Sequence, residues 1–134
     1  MNLLFVCRYN CFRSRVAEAI FNNINKNNKI KVKSAGYSIG SIDCILDRAA
    51  QVLDEMKIPY DSSQLAVQLN DTIIDWADKV IIVANDVPLE NFPREKTVKI
   101  EVPDAYHSIE KTRETIQVIK KEIEKLSFDL NKLI

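Results

Sequence analysis

Four short apolar runs punctuate the chain, Leu3 to Val6, Ile30 to Val32, Val80 to Val83 and Val98 to Val102, and each is too short to be a helix. Between them, apolar residues recur at helical spacing. Val16, Ala17, Ile20, Phe21 and Ile24 fall at i, i+1, i+4, i+5 and i+8, which predicts a helix starting near Arg13 or Ser14 with its apolar stripe on a sheet. Leu46, Ala49, Ala50 and Leu53 mark one side of a second helix over about Leu46 to Met56. Asn70 and Asp71 are suited to cap a short third one ending near Trp76. From about Ser108 to Lys132 a long amphipathic helix is expected: Ile116, Ile119, Ile123, Leu126, Leu130 and Leu133 stand three or four residues apart, with Lys and Glu between them. Such a stripe serves core packing far more often than association, so a monomer or weak dimer is expected.

Short apolar strands alternating with helices predict an α/β fold: three layers, a four-stranded parallel sheet with helices on both faces, and one domain over 1–134. The chain has no internal repeat or low-complexity tract, and its only glycines are Gly36 and Gly40.

Composition narrows the function classes. The 134 residues are 46% hydrophobic, enough for an ordinary core. Lys+Arg and Asp+Glu both number 19, so overall charge gives no nucleic-acid footprint, and any positive site must be local. No apolar run approaches membrane-spanning length. The start, MNLLFVC, lacks the features of a secretory signal, so a cytoplasmic location is expected. Three cysteines, Cys7, Cys11 and Cys44, cannot all pair within one chain, and in a reducing compartment they are expected as thiols.

Local charge is concentrated in VCRYNCFRSR, residues 6 to 15, between the first strand and the first helix. A loop at the C-terminal end of a parallel strand is the usual ligand site of such a sheet, and its N–H groups together with the positive helix end favour an anion. Arg13 adds a planar fork able to hold two oxygens of a phosphate-like group. Cys7, at the same electropositive place, is expected to favour its thiolate and act as a nucleophile; the alternative is a buried strand-end cysteine. Ser14 is suited either to hydrogen-bond that sulfur or simply to cap the helix.

Cys7, Asn10, Arg13 and Ser14 in CRYNCFRS resemble the phosphate-binding loop of the low-molecular-weight protein tyrosine phosphatases, C-x-G-N-x-C-R-S. The resemblance extends over about residues 2 to 130. Ser34-Ala35-Gly36 looks like the family's S-A-G-T, and ILDRAAQVLDEMKI like its following helix. Asp78 and VIIVAN look like the segment before its M-D, with Ala84 and Asn85 in place of those two residues. Pro103-Asp104-Ala105-Tyr106 resembles its acid loop, with Ala105 in the proline position.

The resemblance implies a cysteine-dependent phosphatase acting on a phosphotyrosine protein or small aryl phosphate, without metal or other cofactor. Cys7 would attack phosphorus to give a phosphocysteine, and Arg13 with the loop N–H groups would stabilise the equatorial oxygens. Asp104 would protonate the leaving oxygen and then take a proton from the attacking water. Asn10 would adopt a left-handed conformation and tie the loop together. Tyr106 and Tyr37 are candidates to line the slot for a substrate ring, while His107 reads as a loop residue.

Three positions depart from the family pattern. Tyr9 replaces its glycine, so either the loop runs differently or Tyr9 sits outward at the rim. Phe12 replaces its second cysteine, and Cys11 appears one place earlier. Arg15 replaces its proline and, with Arg8, either biases the site toward acidic substrates or is merely solvated. These departures keep other readings open: an arsenate reductase of the same fold, a cysteine-phosphorylated carrier, or a non-catalytic phosphate binder. Against the reductase stands the lack of further cysteines after the third strand. Against the carrier stand Arg13 and Asp104.

Overall fold

A computed structural model of the protein describes residues 1–40 and 45–133; Cys44, whose role the sequence left open, lies outside the described residues. The chain runs β1 (Asn2–Cys7), α1 (Arg13–Ile24), β2 (Lys31–Gly36), α2 (Asp47–Glu55), α3 (Asp71–Trp76), β3 (Lys79–Val83), β4 (Thr97–Ile100) and α4 (Ile109–Leu133). The four strands form a parallel sheet in the order β2-β1-β3-β4. This is the expected α/β architecture.

The central strands read as unbroken apolar runs because both of their faces are covered. Leu3 and Phe5 of β1 and Ile81 and Val83 of β3 join one core with α1, α2 and α4. The alternate residues Leu4, Val6, Val80 and Ile82 join a second core, where Ile73 and Trp76 of α3 pack with Phe92 and Val87. Period-two alternation thus divides each strand between two layers.

Ile116, Ile119, Ile123 and Leu130 are buried in the first core, with Leu126 packed against it, so the stripe of α4 serves the interior as expected. Asn70 caps α3 by accepting the Ile73 N–H at 2.9 Å.

Two boundaries differ from expectation. β2 continues past Val32 through Lys33, Ser34 and Ala35 to Gly36, a stretch with little apolar signal, because it pairs with Leu4 to Cys7 of β1, and Ser34 and Ala35 are buried there. β4 stops at Ile100 instead of Val102, and the Val102 carbonyl is free to meet Arg13. No helix among the described residues is long and apolar enough to cross a membrane.

Candidate active site

The strand order reverses between β1 and β3, since β2 lies on one side of β1 and β3 on the other. A crevice therefore opens outside the carboxyl ends of these two strands. Into it run the loop from Cys7 to Arg13 and the segment after Val83. Helix α1 begins with Phe12 at its N-cap position, without a side-chain cap and with no acidic residue in its first turn. Its positive end is left without a local carboxylate to neutralise it.

Cys7 is buried, with Sγ 3.0 Å from the Ser14 hydroxyl oxygen. Asn10, fully buried at φ 57°, ties the loop together. Its amide donates to Ser14 Oγ at 2.8 Å and to Ser34 Oγ at 3.1 Å, while its Oδ1 accepts the Val67 N–H at 2.9 Å. Ser14 Oγ thus accepts from Asn10 and keeps both its proton and a second lone pair for the Cys7 sulfur, so it can donate to a thiolate there. Ser34 in turn donates to Glu18 Oε1 at 2.7 Å. Burial raises the Glu18 carboxyl above its ordinary range, against the lowering effects of the Ser34 hydrogen bond and of Arg15.

Gly36 explains how the loop closes. A β-carbon there would lie 2.7 Å from Ile39 Cγ2, 2.9 Å from the Tyr9 carbonyl carbon and 3.0 Å from the Asn10 nitrogen. The backbones of β2 and the loop touch, and only glycine permits it.

Arg13 is almost wholly enclosed. Its Nη1 donates to the Val102 carbonyl at 2.8 Å and to Asn85 Oδ1 at 3.2 Å, and its Nη2 donates to Asp86 Oδ1 at 2.9 Å. Nε finds no hydrogen-bond partner among the described residues and lies 3.5 Å from Asp104 Oδ1. The end of the guanidinium is thus anchored, while its buried Nε has the Asp104 carboxyl nearby and no hydrogen bond. Burial raises the Asp104 carboxyl, Arg13 opposes this, and the nearby Asp86 adds to it. Such a carboxyl holds its proton to higher pH than an ordinary aspartate, as a proton donor must.

Cys7, Tyr9, Cys11, Phe12, Arg13, Leu46, Asp104 and Tyr106 line one cleft. The rings of Phe12 and Tyr106 meet edge to face at 5.8 Å. A thiol, a guanidinium edge and a carboxyl therefore face one space with apolar walls.

The model of the low molecular weight phosphotyrosine protein phosphatases matches residues 2–133. The chain belongs to that family. Among solved structures, the YwlE arginine phosphatase from Geobacillus stearothermophilus is similar at 27% identity with a TM-score of 0.84, over 98% of this chain and 93% of that one. The low molecular weight protein tyrosine phosphatase from T. tengcongensis is 29% identical with a TM-score of 0.82, over 94% of this chain and 97% of that one. A thioredoxin-dependent arsenate reductase from Corynebacterium glutamicum shares the fold at 25% identity and a TM-score of 0.76, over 99% of this chain and 63% of that one. Comparison with curated proteins finds no match. Family membership makes this a cysteine-based phosphatase fold in which the loop after β1 is the phosphate-binding loop.

Against the family pattern, each departure has a definite place. Among the described non-glycine residues only Asn10 and Lys57 have positive φ, so the Tyr9 position does not demand glycine. Tyr9 is 45% exposed at the rim, with the Arg8 guanidinium 5.9 Å from its ring centre. Phe12 is buried and forms part of the cleft wall, and Cys11 Sγ lies 3.5 Å from the Tyr9 carbonyl. Arg8 donates to the Asp86 carbonyl at 3.1 Å, linking the loop to the segment after β3.

Three expectations are corrected. Arg15 is neither solvated nor at the site: it is buried, and its Nη2 donates to the carbonyls of Asp61 at 3.3 Å and Gln64 at 2.9 Å. Tyr37 does not line the cleft; its ring lies 6.1 Å from that of Phe92 in the second core, and Asn91 binds its hydroxyl. The capping role of Ser14 also drops out, because α1 already begins at Arg13.

Sequence reading missed Asp86 and Glu18 as parts of this neighbourhood, and it matched Asn85, Ser34 and Gly36 to the family pattern without giving them a role. The S-A-G match pointed at Ser34 and Gly36. Nothing local marked Asp86, which meets Arg13 across 73 positions of chain.

Proposed function

We propose that the protein hydrolyses aryl phosphate monoesters, phosphotyrosine foremost, through a phosphocysteine intermediate. The observation that carries this reading is the convergence of Cys7, the Arg13 Nε edge and Asp104 on one cleft walled by Phe12, Leu46, Tyr106 and Tyr9. The Cys7 thiolate, hydrogen-bonded by Ser14, attacks phosphorus opposite the leaving oxygen, forming the S–P bond as the P–O bond breaks. Charge on the three equatorial oxygens meets Arg13 and the loop N–H groups. Asp104 gives its proton to the departing phenolate oxygen. It then takes one from the water that breaks the S–P bond, returning thiolate and phosphate. The apolar walls suit a ring more than an alkyl ester.

Rapid mixing with para-nitrophenyl phosphate is the test. A burst of nitrophenolate that vanishes in Cys7→Ser is expected, while normal turnover in Cys7→Ser would end the proposal. Asp104→Asn should slow cleavage about 100-fold or more, most for poor leaving groups. A phosphorylated guanidine is the second reading. It is favoured by the two carboxylates that meet Arg13, Asp86 and Asp104, the second of which lines the cleft, and by the arginine phosphatase among the similar structures. A higher kcat/KM on phosphoarginine than on phosphotyrosine peptides would put it first. Thioredoxin-coupled arsenate reduction, assayed alongside, would point to the reductase instead.

A further inference from the structure

Arg13 carries two carboxylates where a single ion pair would neutralise it. Asp86 Oδ1 sits 2.9 Å from Nη2 and Asp104 Oδ1 sits 3.5 Å from Nε, on different parts of one planar cation. The two are not equivalent. Asp86 is 38% exposed and makes the shorter, hydrogen-bonded contact, whereas Asp104 is 24% exposed and its contact is not a hydrogen bond. Asp86 is also held in place, since its own carbonyl accepts from Arg8 and its neighbour Asn85 takes the other terminal nitrogen of Arg13.

We infer that Asp86 is a positioning residue of this site: by taking the end of the Arg13 guanidinium, it turns the Nε edge into the cleft and leaves Asp104 as the carboxyl that keeps the transferable proton. Without Asp86, the undivided charge of Arg13 would draw Asp104 into the ion pair and ionise it, removing the proton donor. The inference rests on the acid role proposed above for Asp104.

The groups that bear on Asp104 come from three places. Arg13 reaches it from α1, Asp86 from the segment after β3, and Cys7, Tyr9 and Cys11 share the cleft from the phosphate-binding loop. Tyr106 belongs to its own segment. Of these, Arg13 favours the ionised carboxylate, and Asp86 and burial favour the proton.

The experiment reads the proton directly. In resting protein carrying ¹³C-labelled aspartate, the Asp104 carboxyl of Asp86→Asn should titrate lower than in the parent by about half a pH unit or more. The alkaline limb of kcat/KM for para-nitrophenyl phosphate should move down with it. Asp86→Glu, which retains the charge, should leave both near their original positions. An Asp104 midpoint that stays or rises in Asp86→Asn would overturn the inference, as would an equal shift in Asp86→Glu. The titration needs no turnover, so its outcome stands apart from the burst assay that tests the phosphatase reading. Circular dichroism checks that the variants are folded.

Discussion

Arg13 and Arg15 stand two residues apart in the first turn of α1, are 1% and 4% exposed, and have opposite uses. Two residues are about 200° of helix, so the side chains leave on opposite sides. Arg13 enters the cleft, where an amide, a carbonyl and two carboxylates hold it and its buried Nε keeps a hydrogen bond unspent. Arg15 goes behind the loop and is spent on the backbone carbonyls of Asp61 and Gln64. The same side chain is a ligand-binding group in one place and a loop brace in the other. What differs is whether a donor-bearing edge faces a cleft shared with a nucleophile.

The largest expected effect comes from Arg13→Lys. A point charge cannot span the anchoring and the phosphate-facing contacts together, so kcat/KM on an aryl phosphate should fall about 100- to 1000-fold. Steady-state kinetics checks this, and a loss under tenfold would remove the distinction between the two arginines.

Arg15→Met should do the reverse. The carbonyls of Asp61 and Gln64 lose the Arg15 donor, and a buried side chain loses its anchoring, lowering unfolding free energy by about 1–3 kcal/mol in urea titrations, with kcat/KM changed by less than about threefold. If activity collapsed while stability held, Arg15 would belong to the site after all.

The smallest effect concerns Glu18, which lies on the Arg15 side yet reaches the loop through Ser34. Its carboxyl is raised in the folded protein by burial, so folding favours the protonated form. The stability this contributes is full below the ordinary glutamate value and is lost as pH rises through the raised one. Glu18→Gln keeps an acceptor for Ser34 but has no proton to lose. Its stability relative to the parent should therefore grow as pH is raised from about 4 to 7. Parallel stability curves would show that the buried carboxylate carries no strain.

Legibility in the sequence followed distance along the chain. Cys7, Asn10, Arg13 and Ser14 act within eight positions, so their order in one loop is nearly their geometry. Asp104 was legible because it follows a strand of the same parallel sheet, and all such ends open on one side. Asp86 was not, since the pattern pointed to the position of Asn85 and only the turn after β3 decides which of two adjacent side chains meets Arg13. Tyr37 misled for a related reason: it follows Gly36 beside the loop, yet its ring belongs to the second core with Phe92.

The sequence by itself determined the parallel α/β sheet, through apolar runs too short for helices, and the loop chemistry, through residue types at fixed local spacing. Tertiary structure decided how that loop is held and charged. Gly36 lets two backbones touch, Ser34 and Glu18 close the hydrogen-bond chain behind Asn10, and Asp86 divides the charge of Arg13 with Asp104. These are contacts between segments distant in sequence, and their energies depend on burial and on separations of about 3 Å, which no spacing along a chain encodes.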